Sequence, residues 1–162
     1  MENQKIQKTE LPSLPSQLTE AINAPTPKAE IKHRQARGGL VVRYVTATYI
    51  TKCLNELFGH LWDFEILEQQ VGNDQVWVKG QLKIWLSPTF AITKTAFGGS
   101  DIKKYQDGRT IDIADDLKSA ASDAMKKASS LLGIASDVYG KVEEKMETPT
   151  MTPDEVREKV GY

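Results

Sequence analysis

The chain contains one cysteine, Cys53. A single thiol excludes an intrachain disulfide and any metal centre built on cysteine, and it fits a reducing compartment. Histidine is nearly as scarce: His33 and His60 stand apart, with no carboxylate, serine or cysteine at a telling spacing, which favours structural over catalytic roles. There is no P-loop, dinucleotide fingerprint, H-E-x-x-H or zinc-ligand spacing. No apolar run reaches membrane-spanning length, and the stretch MENQKIQKTELPSLP lacks the apolar core of a signal peptide, so the expected location is cytoplasmic. Bulk charge of one sign is also missing. The formal net charge is −1, so any contact with nucleic acid has to come from a local basic patch.

What is present suits one soluble domain. The chain has 162 residues, 40% of them apolar and 27% charged, enough for a single hydrophobic core and too few for two ordinary domains. Residues 34–140 hold 13 Lys and Arg against 12 Asp and Glu, whereas residues 141–162 hold 4 against 6, which marks the end of the chain as acidic. The expected organisation is a flexible arm over 1–11, a domain over 12–140 and a flexible acidic tail over 141–162. Thr152-Pro153-Asp154-Glu155 is a capping box with proline at the first helical position, which predicts a short helix in that tail.

Within the domain, Ser16–Ala24 reads as a short helix ended by Pro25 and Pro27. Ile31–Gln35 and Leu40–Val45 flank Gly38-Gly39, the pattern of a hairpin. Over Thr46–Phe58, Ile50, Cys53, Leu54 and Leu57 recur at helical spacing, and Gly59 stands where a helix ends. Three strands follow, Trp62–Val71, Gln75–Leu86 and Phe90–Phe97, most simply an antiparallel meander. A loop over Gly98–Ile111 leads to Asp112, an N-cap for a long helix that runs to about Leu132 and stops at Gly133. The fold class expected is α+β, a three-stranded meander packed on a long helix and preceded by a short hairpin and helix.

The long helix carries the most chemistry. Ile113, Leu117, Ala120, Ala124, Ala128 and Leu131 form its apolar face. Opposite lie Ser119, Ser122, Asp123, Lys126, Lys127 and Ser130, a small hydroxylated surface with two lysines: an ordinary solvated face on pattern alone, or one that suits a phosphate backbone. The loop adds Lys103, Lys104, Tyr105 and Arg109. In the middle strand Trp77 and Trp85 alternate with Lys79 and Lys83, either a stacking platform for bases or a face covered by another element or subunit. Asp112, Asp115 and Asp116 invite a magnesium-dependent nuclease. Adjacent helical residues diverge by about 100°, however, and capping of the helix N-terminus accounts for all three without a metal.

Two segments taken together resemble a known family. GGLVVRYVTATYITKCLNELFGHLW, residues 38–62, carries a glycine turn, a helix, Leu-Asn-x-x-Phe-Gly and Trp. DIADDLKSAASDAMKKASSLLGIASDVYG, residues 112–140, carries K-x-A-x-x-D-A-x-K-K-A-x-x-x-x-G. Their order, with three strands between, is similar to the Rad52/Rad22 single-strand annealing proteins, in particular a bacterial and phage DdrA-like branch, over about residues 12–140. The resemblance implies ring-shaped homo-oligomers that bind single-stranded DNA through its backbone and anneal complementary strands in recombination and repair, without ATP, metal or other cofactor and without enzymatic activity.

By position, the resemblance puts Lys126 and Lys127 in the DNA groove and Lys103 and Lys104 in a loop that adds basic contacts; the physical reading of the loop and helix face adds Arg109 and Ser122. The sequence also departs from the pattern. Tyr49 occupies the position of a groove arginine in eukaryotic members, and Ser130 that of a third basic residue. Lys52 or Arg43 are then the candidates to compensate, and the tail is the candidate contact for a protein partner. The alternatives are a small magnesium-dependent nuclease using the Asp112–Asp116 acids and a non-enzymatic adaptor using the Trp77/Trp85 face.

Overall fold

A computed structural model of the chain describes residues 13–139 and 144–145. The arm expected over 1–11, the Thr152 capping box and the helix expected after it lie outside the described residues. The elements in order are α1 (Ser16–Ile22), β1 (Lys32–Gln35), β2 (Leu40–Tyr44), α2 (Ala47–Phe58), β3 (Trp62–Val71), β4 (Gln75–Ser87), β5 (Phe90–Asp101), α3 (Ile113–Ser130), α4 (Ser136–Tyr139) and β6 (Glu144–Lys145). The class is α+β, as expected: a hairpin and a helix, then an antiparallel sheet in the order β3-β4-β5 with α3 packed across it.

The residues of the first signature each have a physical task. Gly38 and Gly39 turn the β1–β2 hairpin at φ of 79° and 76°, a region that side chains avoid. Thr46 caps α2 by accepting the Tyr49 N–H at 3.1 Å. Leu54 and Phe58 point into the core, Asn55 accepts the Trp62 indole N–H at 2.9 Å, and Gly59 leaves the helix at φ 60°. The motif therefore ties α2 to the first residue of the sheet.

β4 alternates as its sequence predicts. Val76, Val78, Leu82 and Ile84 are buried beneath α3 and α2, while Trp77, Lys79, Gln81, Lys83 and Trp85 lie on the other face. Val45, Ile50, Leu54, Leu82 and Ile84 are fully buried, and each such side chain contributes about 1.5–3 kcal/mol from removal of apolar surface from water.

The second signature sets the sheet–helix contact. Ala120 and Ala124 lie directly over Gly98 of β5, so close that a Cβ on Gly98 would run into the helix backbone. This explains a departure from expectation. Gly98 and Gly99 read as loop because glycine weakens strands, yet β5 continues through them to Asp101. Glycine is there because the helix approaches it.

Three further differences concern α3. It ends at Ser130, and a turn with Ala135 at φ 54° leads to α4, which was not anticipated. Its buried face includes Asp116 and Ser129, while Leu131, expected inside, is 58% exposed. α4 in turn holds the N-terminal segment: Asp137 accepts the Thr26 hydroxyl at 2.7 Å and its N–H at 3.2 Å.

Candidate nucleic-acid interface

In the C-terminal half of α3, Lys126 is half-buried against the hairpin, its Nζ 5.8 Å from the centre of the Tyr44 ring. Burial pushes its ammonium down from the ordinary lysine value; Asp123 opposes this, and Arg34 and Lys127 reinforce it. The hairpin register explains which residues lie near it. Lys32 opposes Tyr44 and Arg34 opposes Val42, so these four share one face, while His33, Gln35, Val41 and Arg43 share the other. Arg43 is therefore on the side of the hairpin away from Lys126.

Asp123, whose charge reaches Lys126, is itself held by two other groups. It accepts the Gly99 N–H at 3.2 Å and the Lys127 Nζ at 2.8 Å, which fixes it against β5 and occupies Lys127. Arg34 makes no ion pair among the described residues. Lys126 and Arg34 thus lie on the Tyr44 side of the hairpin, Arg34 close enough for its charge to lower the Lys126 pKa.

The remaining sequence-predicted residues are dispersed. Lys103 pairs with Asp115 at 2.7 Å, Lys104 with Asp74 at 2.6 Å and Arg109 with Asp107 at 2.8 Å. Each basic residue of that loop therefore carries its own acid. The loop also lies at the far end of the helix, since the 11 residues from Asp115 to Lys126 span roughly 16 Å. Lys52 is exposed on α2, 3.8 Å from Glu56. Tyr49 packs against the core beside Cys53, and burial raises its phenol well above the ordinary value, with the Cys53 contact adding to this. Ser130 donates to the Lys127 carbonyl at 2.8 Å, so its one proton is turned into the helix; Ser122 is half-buried beside the lysines. Of the ten residues expected in the groove, Lys126, Lys127 and Ser122 come together.

Arg34 and Tyr44 were missed. The signal available was a run without acids: from Ile31 to Asn55 there are five Lys and Arg and no Asp or Glu.

The acidic triplet divides its work. Asp112 caps α3, accepting the Ala114 N–H at 2.9 Å and the Asp115 N–H at 3.3 Å. Asp115 holds Lys103. Asp116 is not a cap as the sequence suggested: it is 0% exposed and accepts the Lys103 N–H at 3.1 Å, pinning the loop to the helix. Its other oxygen makes no hydrogen bond and lies 3.7 Å from the Lys103 Nζ. No group of three potential metal ligands occurs among the described residues, and no helix among them is long and apolar enough to cross a membrane.

A family model described as Rad52/22 family double-strand break repair protein matches residues 15–156. None of the curated proteins compared with the chain matches it.

Proposed function

The chain belongs to the Rad52/22 family of double-strand break repair proteins, and we propose that it acts in repair by binding single-stranded DNA and annealing complementary strands. It does so as a homo-oligomeric ring in the cytoplasm, without ATP, metal or catalysis, in the manner of a bacterial or phage DdrA-like member. The observation that carries this reading is the position of Lys126 and Arg34, two cations of α3 and β1 brought near each other beside Tyr44. Phosphates held there are neutralised while the bases stay free to pair, and backbone contacts carry no sequence preference. Partial burial of Lys126 strengthens its attraction for a phosphate, because less water screens it. A ring repeats the groove on every subunit, so a chain of net charge −1 can still bind a long strand.

The magnesium-nuclease alternative is not favoured, because Asp112, Asp115 and Asp116 are each committed to a different contact. The test is annealing of complementary oligonucleotides in chelator without nucleotide. Wild type should speed annealing, and Lys126→Ala/Arg34→Ala should lose most of that gain while remaining folded by circular dichroism. Annealing that requires magnesium or ATP, or strand cleavage on adding magnesium, would contradict the reading.

A further inference from the structure

Asp123 stands beside both lysines of α3. It precedes Lys126 by three positions and Lys127 by four, the two spacings that make side chains neighbours on a helix surface. It takes Lys127, at 2.8 Å, while Lys126 is drawn against the Tyr44 ring. The Lys127 side chain is 49% exposed. The pairing, rather than burial, is therefore what stands between Lys127 and an incoming phosphate.

An exposed ion pair of this kind is ordinarily loose, because two mobile side chains must be ordered to make it. Here one partner is ordered in advance. Gly98 lets α3 come down on β5 so closely that a Cβ there would strike the backbone of Ala120 and Ala124. That approach brings Asp123 to the next residue of the strand, and its Oδ2 accepts the Gly99 N–H at 3.2 Å. The same oxygen accepts the Lys127 Nζ, and the Asp123 side chain is only 26% exposed. A carboxylate fixed by the strand is a standing competitor for the ammonium. A phosphate must displace it, where elsewhere on the surface it would meet a free lysine. The carboxylate also sets a negative charge close to any strand held at Lys126.

We propose that Asp123 is a positioning residue that withholds Lys127 from the DNA backbone, so that each subunit grips a strand through Lys126 and Arg34 and releases it readily. The inference rests on the DNA-binding reading above and adds to it a control on the strength of the grip. Annealing needs release as much as capture, since a strand held too firmly cannot pass into the duplex. The conserved geometry of the strand contact is separable from the charge: asparagine at position 123 can still accept the Gly99 N–H but cannot hold an ammonium as a carboxylate does.

A double-mutant cycle on oligothymidine binding tests this, with Asp123→Asn, Lys127→Ala and the two combined. Mildly acidic pH favours the charged form of Lys126 in every variant. Asp123→Asn should bind more tightly than wild type, by about two- to fivefold for each subunit engaged, the size expected of one exposed ion pair. Its log affinity should fall more steeply with log salt, by about 0.7 per subunit, as one more phosphate is neutralised. Dissociation should slow to match. Lys127→Ala alone should keep the wild-type slope, and adding Asp123→Asn to it should no longer steepen that slope. Hydrogen exchange at the Gly99 amide should stay slow in Asp123→Asn and quicken in Asp123→Ala, which separates loss of charge from loss of the strand contact. An Asp123→Asn variant that keeps the wild-type slope and affinity, or one that steepens the slope equally when Lys127 is alanine, would overturn the role of Asp123 and leave DNA binding intact. Wild type without affinity for single strands would overturn the DNA-binding reading and this inference with it.

Discussion

Lys126 is drawn against the Tyr44 ring and partly out of water. Burial lowers its pKa, so the folded chain holds that proton less tightly than the unfolded one. The penalty for charging Lys126 is full below the lowered pKa, and stability rises as pH climbs from there to the ordinary lysine range. DNA reverses the preference, because a phosphate favours the charged form. Affinity for an oligonucleotide should therefore fall with rising pH sooner than an ordinary lysine would allow, with proton uptake on binding. Lys126→Arg should flatten that fall, since guanidinium keeps its charge. Affinity measured against pH at fixed salt checks this; identical profiles for the two proteins would show that Lys126 does not meet the phosphate. Lys126 itself was legible from the sequence, as one of two adjacent lysines on a hydroxylated helix face. Its partners were not: Arg34 and Tyr44 lie more than 80 positions earlier in the chain, and only the packing of hairpin on helix makes them neighbours.

The elements were legible where pattern and burial coincide. β4 shows strict alternation, and α2 shows an apolar stripe between a threonine cap and a glycine exit; both stand as expected. Reading failed where tertiary contact overrides local preference. Gly98 belongs to a strand because Ala120 and Ala124 cross it, and Asp116 occupies an apolar position because the Lys103 N–H needs an acceptor there. Two substitutions measure these contacts. Gly98→Ala forces a methyl into the α3 backbone and should destabilise the domain by about 3 kcal/mol or more, at the upper end for overpacking. Asp116→Ala leaves the Lys103 N–H without its acceptor and should cost about 1–3 kcal/mol, with faster hydrogen exchange at Lys103. Urea denaturation reads both; stability within about 0.5 kcal/mol of wild type, the range of ordinary surface changes, would contradict the close contact or the pin.

At the scale of the whole molecule, charge is sorted rather than added. A net charge of −1 hides an acid-free hairpin on one side of the fold and a carboxylate-rich aromatic sheet on the other. The first suits a polyanion, and the second does not. The loop lysines Lys103 and Lys104, prominent in sequence, are quenched by Asp115 and Asp74. Their replacement by alanine should change oligonucleotide affinity far less than replacement of Lys126 and Arg34. The most direct measurement of the central claim is the salt dependence of single-stranded DNA affinity for wild type and for Lys126→Ala/Arg34→Ala. On single strands, log affinity falls against log salt with a slope of about −0.7 for each phosphate neutralised. Loss of two phosphate contacts per subunit should therefore weaken binding and make the slope shallower by about 1.4 per subunit engaged, whatever the oligonucleotide sequence. Equal slopes and equal affinities for the two proteins would contradict the groove between α3 and the hairpin as the DNA-binding surface.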